Sequence, residues 1–335
     1  MNMKDWLKNA ASLKKPMPVL SFPGAQLLKT GVRELVHSGS LQAKCMKAIA
    51  DRFNTLASLS LMDLSVESEA FGSPVRFSDD EVPTVIKAIV TNNESLSALK
   101  IPQIGAGRTS EYIKTIKEAK ELIKDRPVFA GSIGPFSLSG RLMDMTEIMA
   151  LCYEDPSLVH GVLDKASQFL TAYNTALREA GADGIVMAEP AAGLLSPSLI
   201  AEFSTPYVKR IIQAVETDAC VYIYHNCGNT IPLIENILET GACAFHFGNA
   251  VDLSQILQKI PSSKIVFGNV DPAGQLRNGT PESVREATLS VLEKCGKYPN
   301  FILSSGCDIP PVSPLENIDA FFETAKEFYF NQPNA

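Results

Sequence analysis

Five short apolar runs in the second half of the chain constrain its fold more than any other feature. They are "GIVMAE" (184–189), "CVYIYH" (220–225), "CAFHFG" (243–248), "KIVFGNV" (264–270) and "FILSSG" (301–306), and a helical pattern follows each. Apolar runs without alternation suit strands covered on both faces, and strands separated by helices pair in parallel. Upstream, "PVLSF" (18–22), "LASLSLM" (56–62) and "PVFAGSI" (127–133) read as three further strands. "FGSPVRF" (71–77) reads as a hairpin excursion, with helices over 111–124 and 157–180. Eight strand–helix units predict an α/β protein: a single (β/α)8 barrel over 17–335, preceded by an N-terminal helical extension over 1–16. The structural alternative is a doubly wound open sheet. It would usually carry a glycine-rich nucleotide turn after its first strand, and none is present.

Helix starts are marked by hydroxyl–proline pairs. Ser196-Pro197, Thr280-Pro281-Glu282 and the expected capping box Ser313-Pro314-Leu315-Glu316 each place a hydroxyl to cap orphan N–H groups. The proline then occupies the first turn, where its missing N–H costs nothing.

Composition narrows the function. The 335 residues are 45% hydrophobic, with a formal net charge of −7 and no run dense in lysine or arginine. Nucleic acid and anionic membranes are recognised through such basic footprints, so neither is expected as a partner. The first sixteen residues build no apolar signal core, and no apolar run is long enough to span a bilayer. The seven cysteines are odd in number and scattered, which suits reduced thiols in the cytoplasm better than a disulfide framework.

In a barrel of this kind the chemistry sits just past the C-terminal ends of the strands. Those ends carry Glu189, His225 with Cys227, Asn249, Asn269 with Asp271, and Cys307 with Asp308. The strands ending at His225 and at Gly306 count as three apart of eight, so their loops face each other across the mouth. His225, Cys227 and Cys307 make a one-nitrogen, two-sulfur donor set. Zinc favours that set, and three protein ligands leave a fourth position open, as in catalytic rather than structural sites. Gly228 lets the chain turn away after the ligand pair. The other five cysteines read as buried small hydrophobes. His37 reads as solvated, and His160 and His246 as structural.

Several longer segments carry a family resemblance. "EAGADGIVMAEPAAGLLSPSLIAEFSTPYVKRI" (179–211), "GNVDPAGQLRNGTPESVREAT" (268–288) and "SSGCDIPPVSPLENIDAF" (304–321) resemble the uroporphyrinogen decarboxylase superfamily. "VESEAFGSPVRFSDDEVP" (66–83) and "GSIGPFSLSGRLM" (131–143) match its earlier segments, so the likeness runs from about residue 17 to the C-terminus. Within the superfamily the chain is most similar to the methylcobamide:coenzyme M methyltransferases and related corrinoid methyltransferases, which are zinc-bearing barrels. Their H-x-C…C motif falls on His225, Cys227 and Cys307.

That resemblance implies Zn2+ as cofactor and a methylcorrinoid as co-substrate on a separate carrier protein. It also implies a small thiol, such as coenzyme M, as methyl acceptor. Arg141 and Arg108 are the candidates for the thiol's anionic tail, and Glu189 and Asn269 for lining the pocket. Glu67 and Glu69 are read as structural. The decarboxylase branch grips its substrate with an arginine pair in a proline-led opening segment. The matching stretch here, "PVLSFPGAQL" (18–27), has no arginine. Asp63 could stand in for that branch's catalytic aspartate, so a uroporphyrinogen decarboxylase-type lyase remains one alternative. A second is methyl transfer in the opposite direction, from an external donor to a corrinoid, and a third is a non-catalytic corrinoid-binding protein. Many relatives carry an acidic residue before the V-D-L of "FGNAVDL" (247–253), where this chain has Gly248-Asn249-Ala250.

Overall fold

Period-2 alternation sorts the strands' side chains into two cores. In the computed structural model, which describes residues 1–330, seven parallel strands lie in the order β1-β4-β5-β6-β7-β8-β9. In chain order the strands are β1 (Ser58–Leu59), β2 (Val75–Arg76), β3 (Thr84–Val85), β4 (Val128–Ile133) and β5 (Gly184–Ala188). After them come β6 (Val221–Asn226), β7 (Ala244–Phe247), β8 (Ile265–Val270) and β9 (Phe301–Ser305). Phe129, Val186, Ala188, Val221, Ile223, Ala244, Phe267 and Ile302 form the inner core. Their strand neighbours, among them Ile185, Met187, Tyr222, Tyr224, Phe245 and Leu303, pack outward against the helices. A sheet with two such faces is the filled interior and helical jacket of a barrel.

The eighth stave comes from "PVLSF" without regular strand pairing. Met17 N donates to Leu303 O at 2.9 Å on one side, and Leu56 N donates to Pro16 O at 2.9 Å on the other. The segment 16–19 thus closes the ring between β9 and β1. The run 56–62 shortens to the two residues of β1. The hairpin is wider than 71–77: β2 pairs antiparallel with β3, Val75 opposite Val85.

The N-terminal extension plugs the floor. Helix Met3–Ala10 buries Met3, Leu7 and Ala10, spaced as one helical face, against the inner core. Lys4 holds its outer side through Glu216 at 3.6 Å and Asp218 at 3.3 Å. Two of the three expected helix starts form as read. Ser196 caps Leu199 N, and Thr280 and Ser283 make a reciprocal box. Ser313 does not: its hydroxyl is buried without a partner, while Gln26 binds its carbonyl. Residues 331–335, the end of the expected 17–335 span, lie outside the described residues. No helix among the described residues is long and apolar enough to cross a membrane.

Candidate active site at the barrel mouth

The inward parity of β6 continues from Val221 and Ile223 to His225, and that of β7 from Ala244 to His246. On β9 it runs from Ile302 to Ser304. All three polar residues are buried in one layer at the top of the interior. His225 and His246 are register partners on neighbouring strands, and their Nδ1 atoms are 2.7 Å apart. His246 Nε2 lies 2.8 Å from Ser304 Oγ, which donates to Met17 O at 2.7 Å. The other ring nitrogen of His225, Nε2, is 3.7 Å from Cys307 Sγ. Two ligands of one tetrahedral zinc, at bonds of about 2.0 and 2.3 Å, stand about 3.5 Å apart.

Cys227 is positioned by glycines. Gly228, at φ +86°, turns the chain away directly after it, as read from the sequence. A Cβ at Gly248 would lie 2.6 Å from the Cys227 Cβ, and one at Gly193 would overlap the Cys227 carbonyl oxygen. The cysteine therefore sits in a slot that only glycine walls leave open. Among the described residues no three His, Cys, Asp or Glu side chains form a ready-made metal cluster. What is in place is the His225–Cys307 pair, with Cys227 near enough to raise the Cys307 thiol electrostatically.

Burial sets the protonation states. It pulls the His225 imidazole down to about 4 and His246 well below its ordinary value, so both rings are neutral at physiological pH. It pushes the Cys307 thiol up to about 12, with Asp308 and Cys227 adding to the rise, and raises Cys227 as well. A neutral imidazole and two protonated thiols suit a soft divalent ion, which would displace the thiol protons on binding. The donor chemistry fits zinc.

The remaining candidates separate. Arg141, on helix Pro135–Met143, lines a cavity of about 400 Å³ that it shares with Arg277 and with the carboxylates Asp80, Glu81 and Asp308. Among the described residues no carboxylate pairs with Arg141 or Arg277. Arg277 was not singled out from the sequence; its place between "GQL" and "NGT" gives no signal. Arg108 is spent on structure. It reaches Asp63, Glu69 at 2.6 Å and Ser65 at 2.8 Å, and stacks over Phe77 at 4.8 Å. Asp63 is likewise saturated, accepting from Ser65 N and Oγ on one oxygen and from Arg108 and Tyr112 on the other.

Glu189 does not line the mouth. It is fully buried, faces outward, and accepts from Ser137 N at 2.9 Å at the start of helix Pro135–Met143, which burial offsets by raising its pKa to about 8. Asn269 spends its amide N–H groups on Gly248 O and Val251 O, both at 2.9 Å, tying down the loop after β7. Asp308 accepts from Ser21 Oγ at 3.2 Å. Sequence reading passes over Ser304 and takes His246 as structural. The signal was their strand parity, which places both on the face of His225.

The uroporphyrinogen decarboxylase (URO-D) family profile matches residues 14–328. The chain is 30% identical over 331 residues to the methylcobamide:CoM methyltransferase MtbA of Methanosarcina mazei, covering 94% of this chain and 96% of the relative. It is 29% identical, with the same coverage, to MtbA of Methanosarcina acetivorans. Among solved structures, a methyltransferase from Methanosarcina mazei superposes with a TM-score of 0.85 at 23% identity, over 98% of this chain and 99% of the other. The chain therefore belongs to the uroporphyrinogen decarboxylase family, and within it is an enzyme of the methyltransferase kind.

Proposed function

We infer that this barrel transfers a methyl group from a methyl-Co(III) corrinoid, presented by a separate carrier protein, to a small thiol activated by zinc. The observation that carries the reading is the 3.7 Å approach of His225 Nε2 and Cys307 Sγ at the barrel mouth. His225, Cys227 and Cys307 would hold the ion, and bound zinc supplies the charge that keeps a thiol as thiolate near neutral pH. The cysteinates of Cys227 and Cys307 with the neutral imidazole of His225 would bring that charge to zero and leave a bound thiol electron-rich.

The thiolate sulfur attacks the methyl carbon in line. A carbon–sulfur bond forms, and the cobalt–carbon bond breaks with its electron pair left on cobalt as Co(I). The thiol proton goes to solvent. Arg141 and Arg277, which share a cavity with Asp80, Glu81 and Asp308, are the cationic partners offered to the acceptor's anionic tail. The names of the MtbA relatives support coenzyme M as that acceptor. The saturated Asp63 and the arginine-free opening segment speak against porphyrinogen decarboxylation.

The test is zinc content of the purified protein together with loss of methylcobalamin across a panel of thiols. One zinc per chain and thiol-dependent demethylation are expected. Absence of zinc combined with turnover of uroporphyrinogen would overturn the reading, and methylation of Co(I) corrinoid by an external donor without thiol would reverse its direction.

A further inference from the structure

We propose that His246 and Ser304 are positioning residues: together they lock His225 in the tautomer whose Nε2 lone pair faces Cys307. The chain of donors leaves one solution. Met17 O is a carbonyl and only accepts, so the Ser304 hydroxyl proton is committed to it at 2.7 Å. Ser304 Oγ must then accept from His246, whose Nε2 lies 2.8 Å away and carries the proton. A neutral His246 with Nε2–H has a bare Nδ1. The Nδ1 of His225, 2.7 Å from it, is therefore the donor. That leaves Nε2 of His225 unprotonated and aimed at Cys307 Sγ at 3.7 Å. The backbone of the eighth stave thus dictates, through one hydroxyl and one imidazole, which nitrogen of His225 is free. Partners of this kind orient a ligating histidine and raise its basicity.

The link to zinc rests on the function inferred above, but the tautomer does not, and the experiment reads the two separately. The chain has only four histidines, so ¹⁵N spectra of the metal-free protein resolve each ring. His225 is expected as the Nδ1–H form in the wild type. In His246→Phe, which keeps bulk but removes the acceptor, and in Ser304→Ala, which removes one oxygen, His225 is expected to shift toward Nε2–H. Zinc affinity, measured by chelator competition, should fall at least about tenfold in His246→Phe. In His246→Asn, which returns an acceptor oxygen near the Nδ1 position, it should stay within about threefold of wild type.

Finding His225 as Nε2–H in the wild type overturns the proposal, as does an unchanged His225 tautomer and zinc affinity in a folded His246→Phe. Should His246→Phe fail to fold, an unchanged tautomer in Ser304→Ala has the same force. A wild type with the expected tautomer that takes up no zinc would sink the zinc reading while leaving the relay standing.

Discussion

His225 and Cys307 are 82 positions apart in the chain, yet Nε2 of one and Sγ of the other meet at 3.7 Å over the barrel mouth. The strands that carry them are separated by β7 and β8, so only closure of the ring brings the two together. Removing the sulfur tests the pairing directly. Cys307→Ala should fold, since the side chain lies at the mouth rather than in the core, and should lose more than about 100-fold in zinc affinity. Thiol-dependent demethylation of methylcobalamin should disappear with the metal; a variant that keeps both refutes the ligand set.

The acceptor's charge is tested at Arg141. Arg141→Met should raise KM for a sulfonated thiol about tenfold or more, the loss of one charge-assisted hydrogen bond. Uncharged 2-mercaptoethanol should be turned over as well as by wild type. Equal effects on both thiols would assign Arg141 to the scaffold.

Gly248 serves Cys227 rather than the turn it lies in. A methyl group there would sit 2.6 Å from the Cys227 Cβ, so Gly248→Ala should cost about 1–3 kcal/mol of stability and weaken zinc binding. Denaturant unfolding and chelator competition on one preparation read both.

The buried Arg108 cluster is a stability element. Arg108→Ala leaves Asp63 and Glu69 without their counter-charge and should cost about 3–5 kcal/mol in denaturant unfolding. Activity per folded molecule should survive. A large kcat loss in folded protein would bring Asp63 back as a reacting group.

Glu67 predicts a pH slope. Burial, opposed by its bond from Ile133 N, lifts its carboxyl to about 7 from an ordinary 4.5. The folded chain therefore binds more protons than the unfolded one between these values, and this residue's contribution to stability declines as pH rises from 4.5 to 7. Glu67→Gln should flatten that part of the stability–pH curve. A wild-type curve with no such decline, or one unchanged in the variant, contradicts the assignment.

The barrel was legible because its strands are apolar throughout and spaced by well-capped helices; those signals are local. The approach of His225 and Cys307 was legible for a related reason, since a fold that displays strand ends at one face turns chain position into spatial position. Glu189 shows where this logic stops. It follows a strand as His225 does, but on the outward parity, so it braces a helix instead of lining the mouth. Parity was equally decisive for His246, which resembled any core histidine until β7 was set in register with β6. Arg277 and the eighth stave lie beyond local reading altogether. The first depends on where a loop folds over the mouth, and the second forms no regular ladder.

The contact from Ser304 to Met17 spans 287 positions. A ribosome makes Met17 long before Ser304, so the stretch that steers the imidazole waits through 287 positions of synthesis for its counterpart. Partial chains can assemble helices and several staves, but the proposed zinc pocket then lacks both Cys307 and its tether to the first stave. Competence to take up the ion should therefore arrive abruptly, once Ser304 and Cys307 have been made, and a nascent product halted before them should be compact but inert.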